Sequence, residues 1–360
     1  MKFDVTDEMR VIGTYPSLGG GENQPVHNTP ITPRENFFRF VRRDHPVWVP
    51  GGEDIITILP SFICENRVRG FVADTVPYEA EREAGGRDFF GIEWTYVPSV
   101  HGAMVRPGNP VLKDASEWEQ RLRPPEFHEE LWEEASERLK PYYSTGRANR
   151  TTVYTGFFER LISFMDVEGA LVALVDDEQK PFVHQIFQML CDFYDELFDH
   201  LKKYLDMDII YFHDDWGTQR APFFSPEVCE EMLVPYLKHV SSHAHELGML
   251  IDFHSCGKCE KLVPQMVSAG VDMWSGQNIN DWDVLTQEYA DKLCFDIRYP
   301  MYDEGVFGSI ENYLEGALKQ WKRYLDTRNV TMSLGPGYNR PIVGRFFDMT
   351  YGLGRMALAE

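Results

Sequence analysis

Ile251-Asp252-Phe253-His254-Ser255-Cys256-Gly257-Lys258-Cys259 is the stretch whose reading decides the fold. Met249, Leu250, Ile251 and Phe253 are apolar enough for a buried strand. Gly257 permits a tight turn, and residues 258–267 continue with helical spacing. A strand running straight into a helix is the repeating step of a parallel α/β fold. Such folds carry their chemistry at the carboxyl ends of the strands. Three residues of metal-ligating type, His254, Cys256 and Cys259, fall at this junction. Two buried thiols beside a hydrogen-bonded core histidine would give the same string, because free cysteine is among the most buried residue types.

Working outward, the same step recurs. A helix over residues 181–204 leads to a strand over 208–212. Ser225-Pro226-Glu227 opens a helix with a cap and a proline at its first position, and that helix leads into the quoted strand. Strands over 271–274, 293–297 and 330–334 follow, with helices over 282–290 and 309–325 between them. Repeated strand–helix periods of this kind require a parallel sheet with crossover helices. Upstream, residues 55–59, 89–97 and 151–156 read as three further strands. Thr32-Pro33-Arg34-Glu35 opens a helix through Phe37, Phe40 and Val41, and residues 127–139 form an amphipathic one. The pattern predicts an α/β protein with a closed (β/α)8 TIM-type barrel, a single domain over residues 32–360. Residues 1–31, rich in Gly, Pro and Asn, read as an irregular N-terminal arm.

Bulk properties narrow the function classes. A chain of 360 residues suits one barrel with insertions. A formal charge of −22, from 35 basic and 57 acidic residues, disfavours nucleic acid and anionic membrane surfaces as partners. No apolar run reaches the roughly 20 residues of a membrane span. The first residues lack an apolar signal core, and six scattered cysteines do not resemble a disulfide framework, so a cytoplasmic protein is expected. Homo-oligomerisation stays open.

Polar residues gather at the strand ends. They read His213-Asp214-Asp215-Trp216, His254-Ser255-Cys256, Ser275-Gly276-Gln277-Asn278, Asp296-Ile297-Arg298-Tyr299 and Ser333-Leu334-Gly335-Pro336-Gly337-Tyr338. In a barrel these loops converge on one mouth, which is where a small-molecule pocket is expected.

Several segments carry a family resemblance: Thr32-Pro33-Arg34-Glu35-Asn36-Phe37-Phe38-Arg39-Phe40, Glu93-Trp94-Thr95-Tyr96-Val97-Pro98-Ser99, Pro107-Gly108-Asn109-Pro110-Val111-Leu112-Lys113-Asp114, Asp214-Asp215-Trp216-Gly217-Thr218-Gln219, Ser225-Pro226-Glu227 and His254-Ser255-Cys256-Gly257. In this order, over residues 30 to 345, the chain resembles the uroporphyrinogen decarboxylase superfamily, in particular its branch of methyltransferases that work with corrinoid proteins. The decarboxylases' Arg-Gln-Ala-Gly-Arg motif is absent, and Val41-Arg42-Arg43-Asp44-His45 stands there instead. Porphyrinogen decarboxylation is therefore not expected.

The resemblance implies transfer of a methyl group between a small methylated substrate, such as an aryl methyl ether, and a corrinoid carried by a partner protein. It also implies zinc held by a His-x-Cys pair, here His254 and Cys256. The family's Glu ligand falls at or near Gln277, and its last Cys falls in residues 333–337, where this chain has none. Cys259 or Cys294 would have to supply a third ligand. Cleaving an aryl ether needs an acid or charge stabiliser near the leaving oxygen. His213, Asp214, Asp215, His254 and Arg298 are the candidates, with Trp94, Tyr96, Trp216, Gln277 and Tyr338 to line the substrate pocket. Two other readings remain: decarboxylation of a small carboxylate held by Arg298, and a barrel that has lost catalysis and only binds a small molecule.

Overall fold

The structure is a computed structural model that describes residues 3–19, 22–100, 102–327, 329–334 and 340–359. Its centre is a parallel sheet of seven strands: β1 (Ile55–Thr57), β2 (Ala148–Val153), β3 (Ile209–His213), β4 (Leu250–His254), β5 (Met273–Trp274), β6 (Cys294–Tyr299) and β7 (Val330–Leu334). Each pairs with its sequence neighbour, so spatial order follows chain order from β1 to β7. The sheet curls. Residues of β1 and β7 line one cavity together, and Gly52–Asp54 contacts β7 across the seam.

The expected eighth strand does not appear among the described residues. Of residues 89–97, Glu93–Val97 belongs instead to a separate antiparallel sheet with Gly86–Arg87 and Gly102–Val105. Its aromatic run made it look like a core strand, yet it covers only one face and sits in the excursion between β1 and β2. A buried charge triad ties this excursion to the barrel. Arg160, fully buried on the helix Phe157–Ala173, pairs with both Glu65 and Asp88. Asp88 also accepts a 2.9 Å hydrogen bond from the Trp94 indole.

The arm is not irregular either. A short helix, Val5–Glu8, precedes an antiparallel hairpin of Val11–Tyr15 and Gln24–His27. Glu8 accepts from Arg355 at 2.7 and 2.8 Å and from the Tyr351 hydroxyl at 2.7 Å, which fastens the arm to the C-terminal helix Arg340–Ala359. Gly13 and Pro25, read as part of an irregular arm, lie within the two strands of this hairpin.

The alternation of side chains along the strands separates two regions. Outward-facing Ile210, Phe212, Ile251, Phe253, Trp274, Phe295 and Ile297 join one large apolar cluster with the surrounding helices. The helix Lys180–Leu205 supplies Val183, Ile186, Phe187, Leu190, Tyr194, Leu197, Phe198 and Leu201 to it, at the three- and four-residue spacing of an amphipathic helix. A second cluster closes the amino ends of the strands. There Phe37, Phe40 and Val41 of the helix Pro33–Arg42 pack with Ala148, Ile209, Leu250, Met273 and Cys294. That helix starts where the sequence placed it: the Thr32 hydroxyl accepts the Glu35 N–H at 3.2 Å, and Pro33 is its first residue. Arg34 holds Asp208, just before β3, at 2.6 Å. With one end plugged, the carboxyl ends are left for chemistry. Among the described residues no helix is long and apolar enough to cross a membrane.

Candidate functional site

Strands β3 and β4 pair in register, so that His213 lies beside His254. Each strand then turns out with a His-x-acid or His-x-thiol pair, His213-Asp214-Asp215 and His254-Ser255-Cys256. His213, Asp215, His254 and Cys256 thereby converge, each offering one ligand atom within 4.8 Å of the others. The two imidazoles stack, with centroids 4.8 Å apart and planes 12° from parallel.

Both histidines are oriented from behind. The Nδ1–H of His254 donates to the Ser275 carbonyl at 2.5 Å, which leaves Nε2 facing the Cys256 sulfur at 3.4 Å. The Nδ1–H of His213 donates to the Tyr154 carbonyl at 3.0 Å, with Glu159 in ion-pair contact at 2.8 Å. Its Nε2 faces Asp215 at 3.2 Å. Carbonyl oxygens can only accept, so each ring presents Nε2 to the group. This is the outer-sphere arrangement that orients metal-ligating histidine. Asp215 in turn accepts the Cys256 N–H at 2.7 Å, which locks the two loops together.

Electrostatics give each member a definite state. Burial alone would favour a neutral His213, but the charge of Glu159 and the hydrogen bond to Asp215 outweigh it and hold its pKa well above the usual range. Burial also opposes ionisation of Asp215, yet the hydrogen bond and charge of His213 depress its pKa. Burial and the neighbouring His213 charge push His254 down to about 3, so it is neutral. Burial raises Cys256, which rests as a thiol. Two imidazole nitrogens, a carboxylate and a sulfur make a donor set that suits zinc. The group is slightly wider than the roughly 3.5 Å ligand spacing of a tetrahedral ion.

The other expected site residues lie elsewhere. Cys259 is fully buried, with its thiol on the Cys256 carbonyl and the Ser255 hydroxyl, each at 3.3 Å. Residues 258 and 259 are not yet helical, so the one-turn spacing that paired Cys256 with Cys259 does not exist; Glu260–Leu262 is a short 3-10 turn. Cys294 begins β6 and packs at the opposite, plugged end of the barrel. Asp214 is buried and caps the helix Phe157–Ala173, accepting from the N–H groups of Phe158 and Glu159 at 3.1 and 2.8 Å. It also takes the Trp216 indole N–H at 2.9 Å. Trp216 is 1% exposed, its ring packed against Phe253. Gln277 braces the turn by accepting the Gly257 N–H at 2.9 Å. Arg298 reaches across the barrel to the Tyr211 hydroxyl at 3.2 Å. Trp94 and Tyr96 belong to the antiparallel sheet beside the helix Cys64–Arg69. Tyr338 lies outside the described residues.

Three neighbours of the site were not anticipated. Glu159 contacts His213 and pairs with Arg69 at 3.7 Å. Arg69 lies over the Trp94 ring at 4.6 Å. Tyr154 supplies the carbonyl behind His213. Tyr154 and Glu159 follow β2, so the strand-end rule applied to β2 as well would have found them.

The turn that presents Cys256 depends on glycine. Gly257 has φ +92°, and a Cβ there would fall 2.2 Å from the Gly217 carbonyl carbon. Gly217 has the same difficulty, with a Cβ 2.6 Å from the Cys259 sulfur. The two site loops cross with backbone against backbone.

No family model and no curated protein matches the chain. Among solved structures it is similar to a methyltransferase from Methanosarcina mazei, at 12% identity and a TM-score of 0.58, over 92% of this chain and 100% of that one. It is also similar to a D-psicose 3-epimerase from Clostridium cellulolyticum H10, at 12% identity and a TM-score of 0.34, over 68% and 87%. A third, the IOLI protein with a binding zinc atom, gives 12% identity and a TM-score of 0.33 over 64% and 81%. The first likeness establishes a shared fold: an α/β architecture around a curled parallel sheet.

Proposed function

We propose that the chain is a zinc-dependent methyltransferase that moves a methyl group between a small substrate and a corrinoid carried by a partner protein. The observation that carries this reading is the four-donor group at the paired ends of β3 and β4, with both Nε2 atoms aimed inward. The fold shared with a methyltransferase and the sequence resemblance support the class of reaction. His213 and Asp215 fill the two ligand positions that the His254–Cys256 pair lacks. When bound, zinc supplies a Lewis acid that holds a substrate sulfur or oxygen and lowers its pKa.

The chain's own residues do the rest. Tyr154, Glu159 and Ser275 keep both imidazoles turned toward the group. Asp215, held as a carboxylate by His213, accepts the Cys256 N–H at 2.7 Å and so fixes the thiol's loop against the other. The buried indole of Trp216 and the ring of Phe253 keep the floor of the loop dry. What the protein itself supplies is orientation and a held anion.

The test combines metal content with turnover. Zinc per chain is measured by plasma emission spectrometry on the protein as purified and after chelation, alongside His213→Ala and Cys256→Ala. Methyl transfer is followed spectrally with methylcobalamin standing in for the partner and a small thiol as acceptor. About one zinc per chain, lost in both variants together with transfer, supports the reading. Zinc-free protein that cannot be reconstituted, or transfer indifferent to both substitutions, would sink it.

A further inference from the structure

The inner face of the barrel is charged where packed barrels are apolar. Layers of branched aliphatic side chains fill such interiors in general. Here the inward positions above the plug carry Arg150, Tyr211, Asp252, Asp296 and Arg298. A cavity of about 530 Å3, its open mouth included, is lined by Thr57, Arg150, Asp252, Asp296, Thr331 and Ser333, with Gly51 and Gly52 at the seam between β1 and β7.

None of these charges is in ion-pair contact with another among the described residues, though Arg150 and Arg298 act on Asp252 at longer range. Arg150 donates only to the Thr57 hydroxyl, at 3.2 and 3.0 Å, and lies over the Tyr211 ring at 5.5 Å. Arg298 donates to the Tyr211 hydroxyl. Asp252, 2% exposed, accepts from the Ser275 hydroxyl at 2.7 Å. Asp296 accepts from the hydroxyls of Thr331 and Ser333 at 2.9 and 3.1 Å. Two arginines and two aspartates are each fixed by a neutral hydroxyl, and burial together with the charge of Asp296 pushes the pKa of Asp252 up to about 7. Taking charges out of water without close partners is costly. The arrangement leaves complementary charges facing a shared space.

We propose that this lumen is a binding site for a small zwitterion, with its carboxylate on Arg150 and its ammonium between Asp252 and Asp296. The site is separate from the His213–Cys256 group and does not depend on the metal reading. Asp252 precedes His254 by two residues on the same face of β4, so the bound molecule would lie roughly 7 Å below the imidazoles.

Isothermal titration calorimetry on the full chain tests this with glycine, β-alanine and γ-aminobutyrate as zwitterions of increasing length. Acetate and methylammonium serve as the two separated halves. One length of zwitterion is expected to bind at least about tenfold more tightly than either half. Arg150→Gln and Asp296→Asn are each expected to weaken it by at least about tenfold, and Cys256→Ala to leave it unchanged. The comparison of whole and half ligands uses the unaltered protein, so it decides the matter even if a variant does not fold. No zwitterion binding up to about 10 mM, binding no tighter than the halves, or binding lost in Cys256→Ala would each overturn the proposal.

Discussion

His213 and His254 stack face to face across two paired strands, yet they rest in opposite states: His213 charged, His254 neutral. The difference comes from what stands behind each ring. Glu159 and Asp215 flank His213, whereas at His254 burial and the repulsion of His213 outweigh the Asp215 charge and the Ser275 carbonyl. One of the pair is thus ready to accept a metal ion as it stands, and the other must first release a proton.

Glu159 tunes the site without belonging to it. Glu159→Gln removes the charge behind His213 while keeping the side-chain length. Zinc affinity, measured by competition with a chromophoric chelator, is expected to fall by about tenfold, within the usual range for an outer-sphere partner of a metal-bound histidine. Cys259→Ala and Cys294→Ala are expected to leave it unchanged, because neither thiol reaches the group.

Metal binding is expected to weaken as the pH falls. His213 holds its proton more tightly than an ordinary imidazole, and the pKa of Cys256 is raised, so both must be deprotonated by the incoming ion. The apparent affinity should therefore increase with pH below the pKa of each group, by up to about tenfold per unit for each proton displaced. Calorimetry in buffers of differing ionisation enthalpy would count the released protons. A flat pH profile with no release would contradict the assigned states.

Asp214 is expected to matter for stability and not for metal. Asp214→Asn replaces one of two acceptor oxygens by a donor, opposite one or two of the three N–H groups they serve. The loss should be about 2 kcal/mol by denaturant titration, the order expected for leaving buried donors unsatisfied. Zinc affinity should stay within error of the parent. The neighbouring Asp215→Asn should show the opposite pattern.

Arg160 anchors the excursion between β1 and β2. Arg160→Met strands Glu65 and Asp88 as buried, unpaired carboxylates. A destabilisation of about 3–5 kcal/mol is expected from denaturant unfolding. Limited proteolysis should then cut within residues 58–122 before it cuts the sheet.

Much of the fold was legible because its signals are local. Residues 330–334 and the cap at Thr32 fall where the alternation and the Thr-Pro pair put them. The aromatic run at 89–97 misled, because a strand covering a cap and a strand filling a core have the same composition. The site was half legible. His254 and Cys256 stood out as neighbours in sequence, but their partners come from another strand. Only the register of β3 against β4 sets His213 beside His254. Asp214 and Asp215 could not be told apart in sequence, since alternation sends one to the helix end and the other to the mouth. Glu159 follows the end of β2, a strand end left out of the reading, and Arg69 had no signal of its own.

The contact between Gly217 and Gly257 makes the two site loops a single interlocked piece. Neither can lengthen, shift or be exchanged alone, because the other fills the only space it has. Anyone wishing to graft this donor set onto another barrel would have to transplant both loops as one cassette, with their glycines and with Gln277 to brace them. Random variation faces the same restriction: the ligands can be traded one at a time, but the path of the backbone that presents them changes only by two simultaneous substitutions.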